Sequence, residues 1–273
     1  RRRIIIVGWL KDSGLSYPEF EKKPASAKVN DILSDLPALH PGEGANEYDS
    51  DAVSEYLRST GIRKGSDVLT HHCARPNKQR DIAIYKRTIA LWNDGHKRLN
   101  YNDLPDELKT HKNRSSFLDR FKVVEGDLEC CHTMLAHISK DGHYFIHPDI
   151  EQHRSITVRE AARIQSFPDD YYFEGPRTAQ FVQIGNAVPV LMAKEIAAGI
   201  ATELSQEDKD GKQWNTISNG KGIFRLHVPE GTYTVKTSYM GYTPQVQSVR
   251  VTRDCFIRTR MKPLLFEIEE ITV

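Results

Sequence analysis

The side chains able to do chemistry gather in two strings. The first, RSITVREAARIQSFPDDYYFEG, spans residues 154–175. It sets Arg159 and Arg163 four apart, on one face of a helix. Such a pair can grip a backbone phosphate, tie down a neighbouring loop, or form only a solvated basic face. Thr157 with Glu160 three residues on is a capping box that starts the helix, and Phe167-Pro168 ends it. The second string, QIGNAVPVLMAKEIA, spans residues 183–197. Gly185 there predicts a tight turn before a helix, where backbone N–H groups come close to a ligand. The histidines and cysteines form a third group: His71-His72-Cys73 and Cys130-Cys131-His132, with His137, His143 and His147. Their spacing contains no C-x-x-C pair, so no metal site is predicted. His143 and His147 have no paired Asn or Asp after them at a metal-binding position, as a nuclease hairpin would need. The stretch 97–122 is basic, with Lys97, Arg98, Lys109, Lys112, Arg114, Arg120 and Lys122, and can meet phosphate.

These residues need elements to position them. Residues 4–10 predict a buried strand, and 11–27 a loop. Short helices are predicted over 28–36 and 51–62, the second ending at Gly61, and a longer one over 81–94. Residues 37–50 read as loop, 65–80 show no clear period, and 95–130 are irregular. Residues 132–147 alternate like a hairpin turning at Lys140-Asp141-Gly142. Helices follow over 157–166 and 187–205, the second apolar at 188, 191, 192, 196 and 200. SQEDKDG then reads as a charged linker, and 211–273 as short alternating segments of an all-β sandwich.

The chain has 273 residues, enough for two domains. Lys plus Arg is 38 against 37 acidic residues, a net charge of +1. That excludes a histone-like tail or a strongly acidic segment, but not a locally basic face for nucleic acid. The longest strongly apolar run, Ile4 to Val7, is far short of the roughly 20 residues of a membrane helix. No signal-peptide pattern follows Arg1-Arg2-Arg3. Four cysteines, at 73, 130, 131 and 255, suggest no disulfide framework, so a cytoplasmic setting is expected. A basic triplet running straight into a strand suggests the C-terminal part of something longer.

Taken together, the two strings resemble the last two motifs of the DNA cytosine-5 methyltransferases, Arg-x-x-Thr-x-Arg-Glu-Ala-Ala-Arg-x-Gln-x-Phe-Pro followed by Gly-Asn-x-Val-Pro. RRRIIIVG is similar to that family's earlier Gln-x-Arg-x-Arg motif, with Arg1 and Arg3 as its arginines. The resemblance covers about residues 1–204. It implies an α/β fold: the C-terminal part of a Rossmann-like catalytic domain (1–40 and 154–204) around a target-recognition domain (41–153). It implies S-adenosylmethionine as cofactor and duplex DNA as partner, with methyl transfer to cytosine C5. Arg1 and Arg3 would lie near the flipped base, and Asn186 and Val188 would line the cofactor pocket. Thr157, Arg159 and Arg163 would support the site. Taking a base out of the stack needs a module that holds the duplex. DNA contacts are expected from Arg75, Lys78, Arg80, Lys109, Lys112, Lys140 and His143, with Asn77 and Gln79 as further base-edge candidates.

The family's nucleophile is a Cys within Pro-Cys-Gln, and none of the four cysteines follows a Pro. The Phe-x-Gly-x-Gly cofactor loop and the Glu-Asn-Val segment are also not found, and are expected upstream, in an N-terminal catalytic half. The chain alone is therefore expected to be inactive. Residues 211–273 resemble part of the carboxypeptidase regulatory-like β-sandwich of TonB-dependent receptors, with 205–210 as linker. The two resemblances belong to different compartments, which suggests a junction of two truncated genes. An inactive DNA-binding module and an envelope interaction protein are the alternative readings.

Overall fold

The computed structural model describes residues 18, 20, 26–49, 53–65, 67–206, 216, 223–237 and 242–263. The chain divides into two compact units, Arg1–Gln206 and Glu207–Val273. The strand predicted over 4–10, with Arg1 and Arg3, lies outside the described residues.

The first unit is built on helices and tight turns. Two-residue strands β1 (Gly44–Ala45) and β2 (His72–Cys73) pair antiparallel, Gly44 opposite Cys73. Helix α1 (Glu55–Ser59) starts where the Ser54 hydroxyl accepts from Leu57 N–H at 3.3 Å. It stops before Gly61, whose φ of +73° suits glycine. Helix α2 (Gln79–Asn93) buries Ile84, Tyr85, Thr88, Ile89 and Trp92, one stripe at helical spacing. That stripe seals a core with Leu99, Tyr101, Phe121, Val123 and Ile146. A second core gathers Leu57, Ile62, Phe145, Ile156, Phe173, Phe181 and Ile184 around helix α3 (Val158–Ile164). Each such side chain contributes about 1.5–3 kcal/mol by leaving water. Helices α4 (Arg177–Asn186) and α5 (Val190–Gln206) follow.

Several expectations are corrected. The helix predicted over 28–36 is a 3-10 turn, Val29–Ile32, in which Lys28 N–H donates to the Asp31 carboxylate at 2.7 Å. Residues 132–147 are not a hairpin. The Asp141-Gly142 turn forms, with Gly142 at φ +78° and Phe145 N–H donating to Gly142 C=O at 2.9 Å. Its arms do not pair with each other: Ala136–Ser139 coils into a 3-10 turn, and Ile146 bridges to Val123 and to Ser155. The helix predicted from 187 begins at Val190, after Pro189. Helix α4 was not foreseen, and Gly185 lies within it rather than in a turn ahead of a helix. Among the described residues of this unit the only parallel pairing is the single bridge between Val123 and Ile146.

The stretch Arg177–Thr202 is long and apolar enough, by length and composition, to cross a membrane. It is two helices, and the chain is extended at Ala187 between them. Helix α4 buries Phe181 and Ile184 completely in the core.

The second unit is all-β among its described residues. Strands β3 (Gly231–Thr237) and β5 (Gln245–Val251) pair antiparallel from Gly231–Val251 to Thr237–Gln245. Strands β4 (Tyr242–Thr243) and β6 (Lys262–Pro263) form a second pair. Among the unit's alternating apolar residues Phe224, Val228, Tyr233 and Val235 are half-buried and Leu226 is exposed. No described side chain of this unit is buried.

Candidate functional site

The seven residues of α3 hold the densest polar network. Its capping box is complete: the Thr157 hydroxyl accepts from Glu160 N–H at 3.2 Å, and the Glu160 carboxylate accepts from Thr157 N–H at 2.7 Å. The helix is buried from Val158 to Arg163, so its charged side chains need partners inside the protein. Arg159 donates to Thr70 C=O (3.1 Å) and hydroxyl (2.7 Å), Pro168 C=O (3.2 Å) and Tyr171 C=O (3.1 Å). Arg163 donates to Asp169 at 3.0 Å, to Ile32 C=O at 2.8 Å and to Asp35. Arg63 also binds Asp35, and its guanidinium lies 3.6 Å from the centre of the Tyr48 ring. The Tyr48 hydroxyl closes the network by donating to Asp169 at 2.8 Å. The basic face of α3 is therefore not solvated. It ties down the segments around residues 32–35, 70 and 168–171.

A second knot sits at the start of α3. Arg154 donates to both Glu160 oxygens, at 2.8 and 2.6 Å, and to Leu39 C=O at 3.0 Å. Burial alone would raise the Glu160 carboxyl, but the Arg154 guanidinium outweighs it and holds the group well below the usual range. Burial lowers His147 to about 4, so this ring is neutral. Its Nδ1 accepts from Asp149 N–H at 3.2 Å, which leaves the proton on Nε2, 3.6 Å from Glu160. His72 spans the Thr157 hydroxyl (3.1 Å) and Pro37 C=O (2.8 Å).

The end of α3 positions the second string. Gln165 donates to Ile184 C=O at 3.0 Å and Ala187 C=O at 3.3 Å, and accepts from Val190 N–H at 3.1 Å through its own carbonyl. The Ser166 hydroxyl accepts from Leu191 N–H at 3.0 Å. These bonds fix the joint between α4 and α5, where Asn186 and Val188 are both exposed. Gln165 and Ser166 carried no predicted role. Their place just after a capped helix and just before Phe-Pro was the available signal.

The expected DNA contacts are dispersed. Arg75 is buried, donating to Lys140 C=O at 3.0 Å and to Ile138 C=O. Lys78, Lys112 and Lys140 are exposed, and Arg80 pairs with Asp81 at 3.0 Å. His143 is half-buried and shares a 2.7 Å hydrogen bond with the Tyr85 hydroxyl, which accepts from Asn77 at 3.4 Å. Much of the basic stretch 97–122 is locally neutralised: Lys97 by Asp94 (2.8 Å), Arg98 by Glu125 (3.2 Å), Lys109 by Asp106 (3.0 Å) and Lys122 by Asp119 (2.6 Å). Lys86 and Arg87, which sequence reasoning missed, are exposed on α2 and carry no ion pair among the described residues. With Ala83 and Ala90 they mark the exposed stripe of that helix. Among the described residues no three His, Cys, Asp or Glu side chains converge to hold a metal.

Residues 1–202 match the family model of the C-5 cytosine-specific DNA methylases. The chain belongs to this family. Residues 209–273 match the model of the CarboxypepD_reg-like domain. The type II methyltransferase M.Bpa9945I of Bacillus paralicheniformis is 50% identical over 212 residues, 73% of this chain and 47% of that protein. The type II methyltransferase M.AgeI of Thalassovita gelatinovora is 32% identical over 228 residues, 65% of this chain and 51% of that one. DNA (cytosine-5)-methyltransferase 2 of Arabidopsis thaliana is 35% identical over 193 residues, 62% of this chain and 12% of that protein. The chain thus spans about half the length of the bacterial relatives it matches.

Proposed function

We propose that residues 1–206 hold the DNA and one side of the cofactor for methyl transfer to cytosine C5 in duplex DNA, in a bacterial modification enzyme of the cytoplasm. The observation that carries this reading is the unbroken family match over residues 1–202. The polar residues of the first motif, Thr157, Arg159, Glu160 and Arg163, are buried. The complete enzyme has a Rossmann-like catalytic domain, and the α3 network fixes the recognition segments against it. Arg1 and Arg3 serve the flipped base. Thr157, Arg159 and Arg163 act through the segments they hold, not by touching DNA.

S-adenosylmethionine supplies the methyl group when bound. Asn186 and Val188 would hold one edge of it: an amide and an apolar side chain, both exposed, at a joint fixed by Gln165. The exposed apolar surface of Val188 and Met192 supports the same side as the seat of further catalytic-domain structure. The nucleophilic thiolate comes from a Pro-Cys-Gln segment that residues 1–273 do not contain.

Phosphate contacts come from exposed, unneutralised cations: Lys78, Lys86, Arg87, Lys112 and Lys140. The test is duplex binding across a salt series. The affinity should fall linearly with log salt, and K86A/R87A should weaken all sequences alike and lower the slope. Binding without salt dependence, or none, overturns the reading.

A further inference from the structure

A buried polar atom without a partner marks a place where the fold does more than pack. Arg75 Nε, Asn77 Oδ1 and Ser155 Oγ are such atoms. Two of these residues, Arg75 and Ser155, flank one turn. A Cβ on Gly142 would sit 2.7 Å from the Ser155 side chain and 3.8 Å from the Arg75 guanidinium. Asn77 reaches the same turn through Tyr85 and His143.

Arg75 is the costly member. It is 8% exposed and has no carboxylate partner among the described residues. Burial weakens its hold on its proton. A cation kept under those conditions earns its place through geometry. Its two terminal nitrogens donate to Ile138 C=O and Lys140 C=O, and its plane lies 4.8 Å from the centre of the Phe181 ring. Phe181 belongs to α4. One helical turn further along α4, Gly185 lies so close to Leu135 and Ala136 that a Cβ there would fall inside their backbone. The turn Ala136–Ser139 is thus fastened to α4 at both ends. Helix α4 runs on to Asn186, and the fastened turn runs on to Lys140 and His143.

We propose that Arg75 is a positioning residue, not a DNA contact: with Gly185 it locks the 136–142 turn onto α4, so that the DNA side and the cofactor side move as one piece. The lock stands on the geometry above. Its meaning for recognition rests on the function proposed here.

The experiment uses the full chain and three variants, Arg75→Met, Arg75→Lys and Gly185→Ala. Without DNA, amide hydrogen exchange should speed up roughly tenfold at Ile138 and Lys140 in Arg75→Met. It should also speed up at Ala187 and Val190, at the far end of α4, and not in α2. Arg75→Lys, which keeps one donor for a carbonyl, should restore part of the protection. Gly185→Ala should give the same pattern from the other fastening. Unchanged exchange at 138–140, or a change that stops short of Ala187, overturns the lock. If Arg75→Met does not fold, Arg75→Lys and Gly185→Ala decide by the same amides.

On a random-sequence duplex, Arg75→Lys and Arg75→Met should weaken binding with an unchanged salt slope. Loss of one phosphate contact would instead lower the slope by about 0.9 and overturn the proposal. If the unsubstituted chain binds no DNA, the functional reading fails, and the exchange data still decide the lock.

Discussion

Glu160 shows how much a single side chain carries. It is wholly enclosed and accepts from Arg154 twice and from Thr157 N–H. Glu160→Gln keeps the volume but leaves Arg154 as a buried cation without its anion. A loss of about 3 kcal/mol is expected, read as a lower urea midpoint. A loss below about 1 kcal/mol would mean that water reaches Arg154. His147 adds a pH dependence. The unfolded chain takes up this proton near pH 6.5, whereas burial delays it in the fold to about pH 4. Stability should therefore fall by about 3 kcal/mol between those pH values and be complete above them. Glu160 acts in the same direction at lower pH: its depressed carboxyl stabilises above the ordinary carboxylate range and loses that contribution in acid. His147→Asn should flatten the slope of urea midpoint against pH from 6.5 to 4.5. An unchanged slope would move the dependence to other groups. The motif arginines were legible as residues, but Asp35 and Asp169, which neutralise Arg163, were not. Asp35 lies 128 positions away, and no local pattern points across that distance.

At the scale of elements, local chemistry was readable where it closed on itself. The Thr157–Glu160 box sets α3 within a few residues and forms as its spacing requires. Thr157→Ala should cost about 2 kcal/mol: about 1 for the lost cap, and a similar amount because His72 loses its hydroxyl partner. Thr157→Ser should recover most of it. Thermal unfolding of the two variants checks this, and equal losses would show that the methyl group, not the hydroxyl, matters. The failures share one cause. Residues 132–138 alternate as a strand would, and Asp141-Gly142 is a true turn. Yet Gly185 brings α4 against Leu135 and Ala136, and the backbone there coils instead of pairing. Helix α4 was missed for the complementary reason. Its glycine reads as a turn residue until the surface it must approach is known. Likewise, the basic stretch 97–122 reads as a phosphate grip, while four of its cations already hold carboxylates.

At the scale of the whole molecule, the two units differ in what holds them. The first buries two apolar cores and the paired charges around α3, whereas no described side chain of the second is buried. Among its described residues, backbone pairing and cross-strand contacts such as Tyr233–Val249 hold the second unit together. The two-part organisation was visible in the change from helical periods to short alternation, because strand alternation is local. The chemistry divides as well. None of the four cysteines stands in the nucleophile's sequence context, so the 273-residue chain should incorporate no labelled methyl group into mixed-sequence DNA. Incorporation that Cys73→Ser or Cys131→Ser abolishes would overturn that expectation. If the DNA-holding surface belongs to the first unit alone, a chain ending at Gln206 should keep it. The buried residues of its cores lie within residues 29–184, with Leu191 packed against them, and distant, independent parts contribute additively. The shortened chain should therefore keep its urea midpoint and bind duplex DNA within about twofold of the full chain, with the same salt slope. A collapse of the midpoint, or a slope that drops with the removal of residues 207–273, would show that cations of the second unit, such as Arg225, Arg250 and Arg258, share the DNA.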